Sequence, residues 1–391
     1  MPSSNPPSEA DEKYLRRALK LARKGFGLAS PNPNVGALLV DGEGRVIGEG
    51  FHTYQGLKHA EILALDEAGD QARGATLYIN LEPCCHQGRT GPCTEALIHS
   101  GVARVVASMA DPNPLVSGRG FRRLREAGVQ VASGMLEAEA RPLNDAFAKY
   151  IRSRLPLVTL KAAMTLDGKI APPPNDVSTR SPACPGRPAG GWITGEKARA
   201  HVHELRHQHD AILVGVGTVI ADDPLLTDRS GLARRRPLLR VVLDSHLRLP
   251  LDSRLAGSAE DDVVVFCTSL DGKRKERLEG RGIQVEQVSP AGAEGRADLA
   301  AVCRRLAERE ITSVMIEGGA RVNWTALESR IADKVLFYYS PRILSGTGSV
   351  PFARGRGFQK MSEAAQVKSV RLHRLGEDFL VEGYLRDPYV D

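Results

Sequence analysis

Three short stretches carry residue types that could hold a metal ion: His59-Ala60-Glu61, Pro83-Cys84 and Pro92-Cys93. One imidazole and two thiolates leave a fourth tetrahedral position open to water. That is the pattern of a catalytic zinc site, whereas structural sites close with four protein ligands. Two thiolates and a neutral imidazole neutralise Zn²⁺, yet the ion still acidifies water beside it. Glu61 stands two residues from His59 at the start of the same predicted helix. It can face that water without being a ligand, take its proton and pass it on. The competing reading is a structural zinc closed by Cys85, or a buried trio without metal. Adjacent cysteines share a tetrahedral ion poorly, and either alternative would make Glu61 dispensable.

A second group lies in the other half. Glu317-Gly318-Gly319 follows an apolar strand and precedes a predicted helix, so backbone N–H groups there can approach a phosphate. It is not the G-x-G-x-x-G fingerprint, and no Rossmann domain is indicated. Arg206 and Arg229 offer guanidinium forks that match phosphate oxygens. Taken singly, the glycine pair reads as a turn and each arginine as a surface residue. His203-Glu204-Leu205-Arg206-His207 is a formal H-E-x-x-H. His201 and His209 flank it and no third ligand follows, so it reads as a His-rich polar helix rather than a protease site.

Zinc-dependent nucleobase deaminases combine H-x-E with P-C-x-x-C. Here eight residues separate Cys84 from Cys93, a departure from the cytidine-deaminase spacing and from nucleic-acid editors. The longer motifs are more specific. Ser30 to Gly36 (SPNPNVG), His59-Ala60-Glu61, Leu81 to Cys93 (LEPCCHQGRTGPC) and Asp111 to Pro114 (DPNP) resemble the deaminase half of the bifunctional riboflavin-biosynthesis deaminase–reductases. Lys161 to Ala171, Trp192 to Gly195, Leu205-Arg206, Gly217 to Arg229 and Glu317 to Ala320 are similar to the reductase half, in the same order. Gly91, Cys85 and Gly190 depart from that family, which usually has Pro, a small polar residue and Ser there.

The resemblance implies a cytidine-deaminase-like three-layer α/β domain followed by a dihydrofolate-reductase-like domain. It implies zinc on His59, Cys84 and Cys93, with Glu61 as proton carrier. The substrate would be a diaminopyrimidinone bearing a phosphoribosylamino group, contacted by Asn32, His52, His86, Arg89, Asp111 and Asn113. In the second half it implies an NADPH site lined by Ala163, Trp192, Thr218, Asp222, Ser245 and Gly319. Arg206, Leu226, Arg229 and Glu317 would contact substrate there. Lys161, Asp222 and Glu317 would orient the sugar or move protons during reduction of the ribosyl chain to ribityl.

The elements that must position these residues alternate in period. Tyr14–Lys24 has a helical apolar face, Val35–Val40 and Val46–Phe51 read as strands around the turn Asp41 to Gly44, and His59–Ala68 reads as a helix. Thr76–Leu81 and Arg104–Met109 are strands; Thr94–Ser100 and Gly120–Ala127 are helices stopped by Gly101 and Gly128. A fresh strand at Leu157–Met164 opens the second half. A Pro-, Ser- and Gly-rich loop to Gly191 follows, in which Ser178, Thr179 or Ser181 could replace the donor missing at Gly190. Then come a helix at Gly195–His207 and strands at Ala211–Val216, Arg240–Asp244, Val263–Thr268, Ser313–Glu317 and Lys334–Ser340. The domains are therefore expected at 1–150 and 155–391, with residues 1–10 a disordered tail.

Composition limits the alternatives. The chain has 391 residues, natural for two domains, and a net charge of only +6. Arg234-Arg235-Arg236 is its densest basic block and aromatics are 5%, too few and too scattered for a nucleic-acid stacking surface. No apolar run reaches membrane length and the polar N-terminus does not read as a signal peptide. Six cysteines, three of them clustered, suit a metal site in a reducing cytoplasm better than a disulfide framework. Zinc, NADPH and a small phosphorylated pyrimidine are the expected ligands, with no nucleic acid and no membrane. Oligomeric state stays open, a homo-oligomer included. The alternatives are a cytidine- or tRNA-type deaminase joined to an unrelated binding domain, and a zinc-stabilised scaffold without activity.

Overall fold

The computed structural model describes residues 8–87, 91–173, 191–292 and 294–390, and the chain divides into two compact units. The described residues up to Arg154, together with Ala233–Arg236, form the first; Leu155–Leu232 and Pro237–Val390 form the second.

The first unit is ordered earlier than its composition suggests. Helix α1 (Glu9–Arg23) is capped by Ser8, whose side chain accepts from the Asp11 N–H while the Asp11 carboxylate accepts from the Ser8 N–H. Ser8, Glu9 and Ala10, expected in a disordered tail, are therefore part of an ordered helix start, and residues 1–7 lie outside the described residues. Strands β1 (Gly36–Val40), β2 (Val46–Phe51), β3 (Thr76–Ile79), β4 (Arg104–Ala107) and β5 (Gln130–Ser133) make a sheet ordered β2-β1-β3-β4-β5. It is antiparallel across β2-β1-β3 and parallel from β3 to β5. The remaining helices are α2 (Ala60–Ala68), α3 (Cys93–His99), α4 (Arg119–Glu126), α5 (Glu137–Ala140) and α6 (Asp145–Ser153).

Glycines set the layer spacing. A Cβ on Gly36 would stand 2.3 Å from the Ala18 carbonyl of α1, and one on Gly48 would stand 2.2 Å from the Ala64 carbonyl of α2. Gly36 and Gly48 lie on opposite faces, since Gly48 pairs with Leu39. Helices thus press on both faces, giving the three layers expected. Leu15, Ala18, Leu38 and Val40 fill the α1 side.

The strands of the second unit are β6 (Leu157–Thr165), β7 (Lys169–Ala171), β8 (Ala211–Gly215), β9 (Leu239–Leu243), β10 (Val263–Cys267), β11 (Ile283–Gln287), β12 (Pro290–Ala291), β13 (Arg296–Ala297), β14 (Ser313–Ile316), β15 (Lys334–Ser340), β16 (Val350–Pro351), β17 (Lys368–Leu375) and β18 (Asp378–Tyr384). Among the described residues nine of them form one sheet, ordered β11-β10-β9-β8-β14-β6-β15-β18-β17. It is parallel from β11 to β15 and antiparallel over the last three strands. The helices are α7 (Glu196–Gln208), α8 (Val216–Asp222), α9 (Arg254–Gly257), α10 (Gly272–Glu279), α11 (Leu299–Glu308) and α12 (Ala320–Glu328). Alternate strand residues feed opposite cores. Leu213, Val241 and Phe266 meet α11 and α12, whereas Ile212, Val242 and Val265 meet α9 and α10. Central parallel strands buried on both faces read as continuous Val/Ile/Leu runs, which is why the sequence located them.

One buried ion pair makes the first unit sensitive to acid. Asp11 accepts from Tyr78 Oη at 2.8 Å and from two Arg104 nitrogens at 2.8 and 2.9 Å. Burial alone would raise its pKa, but hydrogen bonds from Arg104, the Ser8 backbone and Tyr78 outweigh it and hold the carboxyl at about 2. A folded value below the unfolded one of about 4 means that the stabilisation is complete above roughly pH 4 and is lost as pH falls toward about 2. Asp11→Asn should therefore cost about 2 kcal/mol at neutral pH, with the gap to wild type closing between about pH 4 and 2. Urea unfolding at stepped pH measures this, and a gap that does not change with pH would contradict it.

Candidate active sites

The first site forms where the end of β3 and the starts of α2 and α3 converge. His59 immediately precedes α2 in extended conformation, and Cys93 is the first residue of α3. His59 Nδ1 lies 3.2 Å from Cys93 Sγ and 3.5 Å from Cys84 Sγ. The Cys93 N–H is directed at Cys84 Sγ at 3.4 Å. All three donor atoms fall within 4.8 Å of one another, and no other such group occurs among the described residues. Ligands of tetrahedral zinc at about 2.1–2.3 Å stand roughly 3.5–3.8 Å apart, so the set fits that ion. A hydrogen bond from Cys93 lowers the Cys84 thiol to about 4 against the opposing effect of burial, and His59 adds to the lowering. Cys93 is correspondingly raised.

Glu61 is buried in the first turn of α2. Burial pushes its carboxyl up to about 7, and the Cys84 charge adds to the effect. A group poised near neutrality can both accept and donate a proton.

Two further pairs come together. His52 Nδ1 faces the Lys58 carbonyl at 3.0 Å and its Nε2 faces Asn32 Nδ2 at 2.9 Å. A carbonyl only accepts, so Nδ1 carries the hydrogen and Nε2 accepts from Asn32. The His52 ring stands edge-on to His59 at 5.3 Å. Asp111 is buried, and its Oδ1 takes the Asn113 N–H at 2.8 Å. Burial raises its pKa to about 7, with Glu82 and Cys84 contributing after it. His86 is exposed on the loop after Cys84; Arg89 lies outside the described residues.

The sequence reading gave no role to Glu82, which binds three backbone N–H groups, or to the asparagines beneath the site. Asn144 Oδ1 takes the Asn34 N–H at 2.7 Å, and Asn80 Oδ1 takes the Gly36 N–H at 2.9 Å. Glu82 and Asn80 follow the apolar strand β3, and Asn144 precedes α6; their polarity beside apolar neighbours was the signal available in the sequence.

In the second unit a cavity of about 890 Å³ opens at the carboxyl ends of β6, β8, β9 and β14. Ligands bind there in open parallel sheets. Lys161, Ala163, Trp192, Arg206, Thr218 and Asp222 line it, as do Arg229, Ser245, Glu317 and Gly319. Gly319 precedes α12, and Gly318 packs so closely that a Cβ would stand 2.7 Å from Val322. Leu226 is not among the lining residues. Its side chain is buried with Val216, Val219 and Leu238, because in this loop the apolar residue turns into the core. Gly190, Ser178, Thr179 and Ser181 lie outside the described residues.

The charged groups depart from expectation. Arg206 is buried, with Nε 2.8 Å from Glu317 Oε1 and an Nη 3.1 Å from Oε2. Its other Nη donates to the Thr227 carbonyl at 3.0 Å, and Lys161 Nζ reaches Glu317 Oε2 at 3.4 Å. The fork read as a phosphate clamp therefore grips a carboxylate, because leaving Glu317 buried without a partner would cost more. Burial would raise the Glu317 carboxyl, but Arg206 and Lys161 hold it well below the usual range, so it stays ionised. Arg229 lies on the exposed side, and shielding from water and the charges of Arg206 and Arg254 lower its pKa. Asp222 is exposed at the cavity wall, where partial desolvation of its carboxyl raises its pKa. His207 bonds Asp228 at 3.0 Å and His203 lines the cavity, so the two histidines of the H-E-x-x-H segment are in different surroundings.

Known proteins resemble this chain along nearly its full length. Residues 156–381 match the RibD C-terminal domain, and residues 8–109 match the cytidine and deoxycytidylate deaminase zinc-binding region. The riboflavin biosynthesis protein RibD of Actinobacillus pleuropneumoniae is 39% identical, covering 99% of each chain. That of Escherichia coli (strain K12) is 37% identical over 94% of this chain and 97% of its own. Among solved structures, a Thermotoga maritima diaminohydroxyphosphoribosylaminopyrimidine deaminase/5-amino-6-(5-phosphoribosylamino)uracil reductase shares 37% identity at a TM-score of 0.79, covering 96% of this chain and 98% of that one. Acinetobacter baumannii RibD shares 34% at a TM-score of 0.79, covering 96% and 99%.

Removing the Arg206 guanidinium should expose how far the second unit depends on its grip. Arg206→Ala is expected to lower stability by roughly 3 kcal/mol, since it leaves Glu317 buried with Lys161 as its remaining partner. Guanidinium denaturation of the full chain reads the change. A wild-type unfolding profile would mean that the pair carries no structural weight.

Proposed function

This chain belongs to the bifunctional deaminase–reductase family of riboflavin biosynthesis, and from that premise we propose how its two sites divide the work. It is an enzyme with deaminase and reductase activities. In our reading the first unit hydrolyses the exocyclic amine of 2,5-diamino-6-(5-phosphoribosylamino)pyrimidin-4-one with zinc. The second then reduces the ribosyl chain to ribityl with NADPH.

The observation that carries this reading is the buried Glu61 beside His59, Cys84 and Cys93. Zinc, held by those three side chains, would supply acidification of water at neutral pH. Glu61, buried beside the three ligands, takes the proton from the attacking water and hands it to the leaving amine. Asn32, oriented by His52, and the Asp111–Asn113 turn hold the pyrimidine and ribose, and His86 and Arg89 are further base and ribose contacts.

In the reductase, NADPH would lie along Ala163, Trp192, Thr218, Ser245 and Gly319 and supply the hydride. Conversion to ribityl needs hydride at C1 and a proton at the oxygen released when the sugar ring opens. Glu317, held ionised, orients the sugar through the Lys161 network and is a poor proton donor. Asp222, with its raised carboxyl, suits the proton transfer. Arg229 faces the substrate phosphate, with Arg206 behind it. We place the enzyme in the cytoplasm, acting on a small diffusible substrate; none of its described helices is long and apolar enough to cross a membrane.

The deaminase reading is tested by metal content and rate together. Cys84→Ser should lose zinc and deamination. Glu61→Gln should keep zinc and slow deamination at least about a hundredfold, measured by mass spectrometry of the pyrimidine product. An active Glu61→Gln enzyme would remove the proton shuttle.

A further inference from the structure

Glu82 leads from β3 into Cys84, and its side chain is buried, with the residue 3% exposed. Its Oε2 accepts the Asp111 N–H at 3.0 Å and the Gly118 N–H at 2.9 Å, and its Oε1 accepts the Phe121 N–H at 3.1 Å. Its own N–H donates to the Met109 carbonyl at 3.0 Å. The Phe121 N–H is one of those that a helix start leaves without an intrahelical partner. Gly118, the capping position of α4, has no side chain to satisfy it. Glu82 therefore caps α4 from another part of the chain, and a carboxylate suits the positive end of a helix. Gly120 completes the fit: a Cβ there would stand 2.2 Å from the Pro83 carbonyl, so α4 packs directly against the segment that enters Cys84.

We propose that Glu82 is a positioning residue for deamination. One carboxylate ties the Asp111–Asn113 turn and the start of α4 to the segment carrying Cys84, and so sets the distance between the metal side and the substrate side of the pocket. The proposal rests on the reading above in which Asp111 and Asn113 contact substrate. Glu82→Gln is a sharp probe. It replaces one acceptor oxygen with an NH₂ donor, so the remaining oxygen can serve either the Asp111 and Gly118 N–H groups or the Phe121 N–H, and at least one of the three loses its acceptor.

The test uses the full-length, zinc-loaded chain and the phosphoribosylamino diaminopyrimidinone. Zinc content, deaminase KM and kcat are measured, with the NADPH-dependent reductase rate as a control for folding. Glu82→Gln should raise deaminase KM about tenfold or more and leave kcat within about threefold. Zinc content and the reductase rate should stay at wild-type levels, and Glu82→Asp, which keeps the charge on a shorter stem, should fall between. A wild-type KM would overturn the proposal. So would loss of zinc, which would make Glu82 a support of the metal segment instead. Where Glu82→Gln does not fold, Glu82→Asp is read by the same criteria. Asp111→Asn separates the premise from the proposal. If its KM is unchanged, the substrate-contact reading falls; if its KM rises while that of Glu82→Gln does not, the positioning role alone falls.

Discussion

Burying Glu61 beside two thiols is the constraint around which the first unit is arranged. A carboxylate buried in a low-dielectric pocket is costly as a charge, and burial raises its pKa. Such a group is useful only if nothing lets it retreat into water. Helix α2 must therefore press its first turn hard against the sheet, and Gly48 and Gly50 permit this by giving up their side chains where Ala60, Leu63 and Ala64 approach. The same approach seats His59 just ahead of the helix, so metal ligand and proton carrier are placed by one packing contact.

The second unit treats its own buried carboxylate the opposite way. Glu317 is mostly buried at the wall of the cavity, yet Arg206 and Lys161 surround it and it stays charged. Two acidic side chains of the same chemistry are thus tuned to different tasks by what faces them. One can exchange a proton near neutrality. The other is a fixed anion that organises the cations at the floor of a cavity. Nothing in the local sequence around either residue announces this difference.

Sequence is informative where structure is local. The strands of the parallel sheet read as apolar runs because both their faces are covered, and His59, Glu61, Cys84 and Cys93 stand out because few structural roles need that set at that spacing. Relations between distant segments stay hidden. The Arg206–Glu317 pair joins residues 111 positions apart, and Glu82 reaches partners 29 to 39 positions away. Leu226 sits in a motif of polar contacts but turns inward, since an apolar side chain gains more from the core than from a solvated cavity. Strand β17 escaped notice because nearly all its residues are exposed, so no buried face imposes a period of two.

The order of strands in the large sheet has a consequence for how the chain is made. Strand β6 is the first of that sheet to leave the ribosome, yet its partners are β14 and β15, with Leu157 beside Ser313 and Thr159 beside Lys334. At about 5–20 residues per second, this interior strand spends on the order of 10–30 s without either neighbour. Its two edges, both destined for the interior, are open to any other strand throughout that interval. Changes that make β6 stickier should therefore cost soluble protein without altering the finished fold.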